Sequence, residues 1–89
     1  MCTVEKDRVA SCQIAFFPIG TVTYAEEIRQ VLDLIQSYPI EYEIGVFSTT
    51  IRGKKEVIFQ LIRDIYDTMD QQKHRFTIHI LLSNTCGCE

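Results

Sequence analysis

Apolar and polar residues alternate in short runs that are separated by longer stretches with helical spacing. Cys12, Ile14 and Phe16 alternate with Gln13, Ala15 and Phe17, a period of two that predicts a strand over Ser11–Ile19. Pro18 and Gly20 end it, and Pro18, lacking an amide hydrogen, belongs at the strand's end or at a bulge. Ile28, Val31, Leu32 and Ile35 then follow the i, i+3, i+4, i+7 rule of an amphipathic helix. Thr23 and Glu26 have the T-x-x-E spacing of a capping box at its start. Pro39 closes this helix, because a residue before proline avoids helical angles.

Two short strands follow in a hairpin. One is predicted over Ile40–Val46, with Tyr42, Ile44 and Val46 on one face, and the next over Ser48–Arg52, with Gly53 breaking the pattern. A second helix is predicted from Lys54 to Gln71, its stripe being Ile58, Leu61, Ile62, Ile65 and Met69. The last strand is Arg75–Ser83, where Phe76, Ile78, Ile80 and Leu82 alternate with Thr77, His79, Leu81 and Ser83. Residues 1–10 read as a polar lead-in and 84–89 as a mobile tail. The order βαββαβ, with one apolar stripe per helix and one apolar face per strand, predicts a single α+β domain over residues 1–89. Right-handed crossovers make it a ferredoxin-like two-layer sandwich with antiparallel strand order 4-1-3-2.

Alternation also assigns a second face. With Ile14, Phe16, Ile44, Ile51, Ile78 and Ile80 under the helices, Gln13, Ala15, Phe17, Glu43, Thr50, Arg52, Thr77, His79 and Leu81 point the other way. Phe17 and Leu81 are too apolar for a fully wetted surface, whereas Glu43 and His79 suit a dry one poorly. Such a face fits a subunit contact, or a small-molecule site on or beside one.

Composition narrows the function classes. A net charge of −3 and a pI near 5.3 argue against non-specific nucleic-acid binding. No apolar run is long enough for a transmembrane helix. The start of the chain carries no secretory signal pattern, so the expected location is the cytoplasm and the cysteines are read as thiols. Cys86-Gly87-Cys88 is a C-x-C pair, but a structural zinc site takes about four ligands and no second pair exists. It reads as an incidental tail, and no metal or cofactor is expected. Nucleophilic catalysis needs a base beside a thiol or hydroxyl, and alternation puts Cys12 and His79 on opposite faces. Glu41 and Glu43 read as edge-strand charges that discourage aggregation. Arg52, Lys54 and Lys55 read as a solvated basic cluster at a helix start. Nothing here points to an enzyme.

The run Tyr42-Glu43-x-Gly45-x-x-Ser48-Thr49-Thr50-Ile51-x-Gly53, with Phe17-Pro18 ending the first strand, is similar to the small thiamine-binding (YkoF-like) family over about residues 11–83. The resemblance implies a ferredoxin-like domain that associates through its sheet as a dimer or tetramer. It further implies non-catalytic binding of thiamine or its hydroxymethylpyrimidine part. An aminopyrimidine is flat and offers donor and acceptor groups along one edge. Gln13, Phe17, Glu43, Ser48, Thr50 and His79 supply matching groups and are the candidate ligand-binding residues. One departure stands out: Thr50-Ile51-Arg52-Gly53 occupies the place where the family pattern is expected to read Thr-Ile-Glu-Gly. The alternative from a different class is a structural or regulatory oligomerisation domain without a vitamin ligand.

Overall fold

A computed structural model describes residues 9–84. Its elements are β1 (Val9–Pro18), α1 (Tyr24–Gln36), β2 (Glu41–Ile44), β3 (Thr49–Lys54), α2 (Lys55–Gln71) and β4 (Phe76–Ser83). The four strands form one antiparallel sheet in the order β2-β3-β1-β4, which is the expected 4-1-3-2 arrangement read from the other edge. The polar lead-in at 1–8 and the tail at 85–89, with Cys2, Cys86 and Cys88, lie outside the described residues.

The helices cover the face that alternation assigned to them. Ala10, Cys12 and Ile14 of β1 and Ile51 of β3 are buried against Val31 and Ile35 of α1 and Ile58, Leu61, Ile65 and Met69 of α2. Phe16 stacks on Phe76 at 5.4 Å between ring centres, and Tyr66 meets Phe76 edge-on at 5.3 Å, sealing the β4 side of the core.

Four expectations need correction. Strand β1 starts earlier, because Val9 and Ala10 pair with Lys54 and Gly53. Gly53 therefore lies inside β3 rather than ending it. Its reason is contact: a Cβ there would sit 2.7 Å from Cγ2 of Ile40, a methyl on a stiff β-branched side chain. Strand β2 stops at Ile44 instead of Val46, since the Gly45 N–H donates to the Ser48 carbonyl at 2.8 Å and closes a four-residue loop. Val46 and Phe47 thus leave the strand face for the hairpin tip, 92% and 89% exposed. Finally, Thr23 is the N-cap of α1 but makes no side-chain cap bond, so no capping box forms. Its hydroxyl donates instead to Oε2 of Glu27 at 3.0 Å.

Candidate functional site

The uncovered face is laid out in rows by the strand register. Leu81, Gln13, Thr50 and Glu43 lie directly opposite one another across all four strands. The next row is Ser83, Ser11, Arg52 and Glu41. In it the Arg52 guanidinium donates to Glu41 Oε1 at 3.4 Å, both side chains being well exposed. On the other side of the first row His79 pairs with Ala15, and beyond that Thr77 pairs with Phe17.

The structure therefore brings Gln13, Glu43 and Thr50 together and puts His79 one row away, about 7 Å along the strands. Phe17 is four residues beyond Gln13 on β1, about 13 Å distant, and half exposed. Ser48 is not on the sheet; it sits at the foot of the hairpin loop. On this face a depression of about 120 Å³ is bounded by Glu41, Glu43, Thr50 and Arg52 among others. Small-molecule sites usually run from about 300 to 1,000 Å³, so this depression by itself is too small for one.

A larger cleft opens at the other end of the sheet, with a volume of about 350 Å³. It arises from a mismatch in strand length. β1 pairs with β4 as far as Pro18, but with β3 only as far as Ile14, opposite Thr49. Beyond that point the hairpin loop has left the sheet and a slot remains between it and β1. Ile28 and Leu32 of α1 form one wall, Phe16 and Phe17 of β1 another, and Ile44 with the loop from Gly45 to Ser48 the third. None of the described residues lining it is charged. Phe17 and Ser48 thus meet at this cleft, while the other four candidates lie along the open face.

Two parts of this arrangement escape a reading of the sequence. Ile28 and Ile44 read as plain core, yet they line an open cleft and are 36% and 50% exposed. The available signal was Val46-Phe47, two large apolar residues at a turn where solvent should be met. The second is Glu27, 1% exposed. Oε2 accepts from Thr21 Oγ1 at 2.7 Å and from Thr23 Oγ1 at 3.0 Å, and lies 3.5 Å from His74 Nδ1. Chiefly the Thr21 hydrogen bond, against the opposing effect of burial and with help from Thr23 and His74, holds its carboxyl below the usual carboxylate range. Oε1 is buried without a hydrogen-bond partner among the described residues. Glu27 thereby ties the β1–α1 loop to the α2–β4 loop, beside the Ile19 N–H to Arg75 carbonyl bond of 2.9 Å. This fixes the first turn of α1, from which Ile28 enters the cleft. The sequence signal was position: Glu27 precedes Val31 and Ile35 at successive steps of four on the buried stripe.

Cys12 is on the core face and His79 on the other. Burial pushes the Cys12 thiol up to about 11, which keeps it protonated and unreactive near neutral pH. No group of three or more His, Cys, Asp or Glu among the described residues is placed to hold a metal ion. No helix among them is long and apolar enough to cross a membrane.

Several solved structures share this architecture. A Thermotoga maritima protein named "putative thiamine biosynthesis/salvage protein" matches with a TM-score of 0.76 and 23% identity, over 89% of this chain and 86% of its own. A hypothetical protein of Methanocaldococcus jannascii matches with a TM-score of 0.79 and 13% identity, over 92% and 86%. A Bacillus cereus domain of unknown function matches with a TM-score of 0.73 and 14% identity, over 88% and 77%. At such identities these likenesses establish the fold. No curated protein matches the chain. The model of the YkoF-related family matches residues 9–89, which takes in the whole of the fold described above, and the chain belongs to that family.

Proposed function

We propose that this protein binds thiamine or a related hydroxymethylpyrimidine without chemistry on it, and that it does so as a homo-oligomer joined through the sheet. The observation that carries the reading is the cleft of about 350 Å³ between α1, the end of β1 and the β2–β3 loop. Its volume falls in the range of small-molecule sites, its walls are apolar, and aromatic rings and the Ser48 region stand at its margin. Such walls accept the faces of a flat ring, and a few polar groups then fix its orientation. Family membership and the Thermotoga maritima neighbour's name support the choice of ligand.

Phe17 and Ser48 are assigned to the ligand. Gln13, Glu43, Thr50 and His79 are assigned to the contact between copies, where Leu81, 60% exposed in the same row as Gln13, supplies apolar area. A dimer or a tetramer satisfies this assignment equally. The reading takes the cytoplasm as the location. Arg52 is occupied by Glu41 on the far side of that row and does not line the cleft, so its replacement of an expected carboxylate leaves the pyrimidine site intact.

Thermal melting with and without thiamine tests the ligand. A ligand at about 100 times its Kd adds about 2.7 kcal/mol to the native state, which raises the midpoint by roughly 10–20 °C. An unchanged midpoint at millimolar thiamine and at millimolar hydroxymethylpyrimidine overturns the reading. The structural or regulatory assembly reading would then remain, since the exposed row containing Leu81 favours self-association whether or not a ligand binds.

A further inference from the structure

We propose that the main chain of Phe16 reads the amino-bearing edge of the pyrimidine: its N–H donates to a ring nitrogen and its carbonyl accepts from the exocyclic amino group. The proposal rests on the assignment of the cleft to a pyrimidine ligand.

In an antiparallel strand the N–H and C=O of one residue point to the same side, and successive residues alternate. The Ile19 N–H donates to Arg75, on the β4 side. By alternation Ala15 and Phe17 also turn their backbone groups toward β4, where they face His79 and Thr77. Phe16 and Pro18 turn theirs to the opposite side.

On that side no described residue receives them. The ladder with β3 ends at Ile14 opposite Thr49. The hairpin loop satisfies itself through the Gly45 to Ser48 bond. No hydrogen bond among the described residues involves the Phe16 N–H or C=O from the β3 side. Pro18 is consistent with this, since a residue without an N–H occupies the one further position whose donor would have been unpaired. Phe16 and Pro18 both line the cleft. Backbone donors and acceptors within protein are almost always paired, and an apolar-walled slot supplies no partner of its own. The slot therefore presents a donor and an acceptor, flanking one Cα and aimed the same way, to whatever enters.

An aminopyrimidine edge is the complement. It carries a ring-nitrogen acceptor beside an amino donor, so both bonds form at once, as they would with a neighbouring strand. Val46 and Phe47, almost fully exposed at the hairpin tip, stand beside the slot and gain burial when a ring fills it. A pyrimidine with a carbonyl in place of the amino group would set two acceptors against each other at the Phe16 carbonyl. The contact therefore discriminates amino from oxo pyrimidines with no charged side chain involved.

The test replaces the amide between Ala15 and Phe16 by an ester in a chemically ligated full-length chain. This removes the Phe16 N–H and keeps its ring on Phe76. Calorimetric titration with thiamine is expected to give affinity about three- to tenfold weaker than the all-amide chain, the loss appropriate to one hydrogen bond. The 4-oxo analogue of thiamine is expected to bind the all-amide chain at least tenfold more weakly than thiamine. In hydrogen exchange the Phe16 amide should be unprotected without ligand and protected with it, while that of Phe17 is protected throughout. Thiamine binding with equal affinity to both chains, or equal affinity for the 4-oxo analogue, overturns the Phe16 contact and leaves the functional reading standing. Failure of the all-amide chain to bind either thiamine or hydroxymethylpyrimidine overturns both.

Discussion

Glu27 shows how a single charged side chain can be buried without a full ion pair. Two threonine hydroxyls donate to one of its oxygens and an imidazole lies alongside. Its carboxyl is held below the ordinary range, so the unfolded chain binds the proton more readily than the folded one. The stabilisation is therefore present above the unfolded value of about 4.3 and is lost as pH falls through the lower folded value. Glu27→Gln should lower the melting midpoint at pH 7, and the gap to the parent should narrow as pH is taken below about 4; melting curves across pH 3–7 measure this. At the other end of the same tie, Lys73 has φ of 65°, the left-handed residue of a Schellman closure. The closure is made by the His74 N–H to the Met69 carbonyl at 3.1 Å and the Lys73 N–H to the Asp70 carbonyl at 2.9 Å. Glycine has no Cβ penalty there, so Lys73→Gly should add about 1 kcal/mol and raise the midpoint by about 4–8 °C. A lowered midpoint would show that Lys73 makes a compensating contact. Spacing places Glu27 on the buried stripe with Val31 and Ile35, but neither its partners nor the left-handed turn at Lys73 follows from spacing. His74 comes from beyond the second helix.

The β2–β3 hairpin is the element whose ends matter most. Its position and side-chain parity are legible: Tyr42 and Ile44 share a face with Ile51, and Glu43 faces the same way as Thr50. Its length was not. Gly45 turns the chain two residues before the alternation runs out, and Gly53 continues β3 where a glycine usually interrupts. The space at Gly53 is taken by Ile40, so Gly53→Ala should cost about 1–3 kcal/mol by overpacking. Ile40→Ala in that background should recover part of the loss, because the two residues touch and their effects couple. Chemical denaturation of the two singles and the double measures this. Strict additivity would mean that the strain at Gly53 lies elsewhere.

At the level of the entire fold, two layers leave one sheet face and the β4 edge uncovered by any of the described residues. Ile80, Leu81 and Leu82 are 37%, 60% and 42% exposed, an apolar run on an edge strand with no charge to guard it. The contact between copies proposed above predicts that Leu81→Lys shifts sedimentation toward the monomer while leaving the far-ultraviolet dichroism unchanged, since the side chain contributes nothing to the described core. An unchanged sedimentation coefficient would count against the proposed contact on this row.

The order of elements, the strand sequence across the sheet and the face on which each side chain stands can all be read from the chain alone. They follow from local periodicities of two and 3.6 and from the handedness of crossovers, which need no knowledge of distant partners. Gln13, Thr50 and His79 accordingly share the open face as expected. The cleft could not be read in the same way. It exists because β1 keeps pairing with β4 after its pairing with β3 has ended at Ile14. Where two strands part is set by the closure of a loop elsewhere in the chain and by the packing of α1 above it. Periodicity gives each residue its side of the sheet, but the length of a ladder belongs to both strands and comes into being only when they meet.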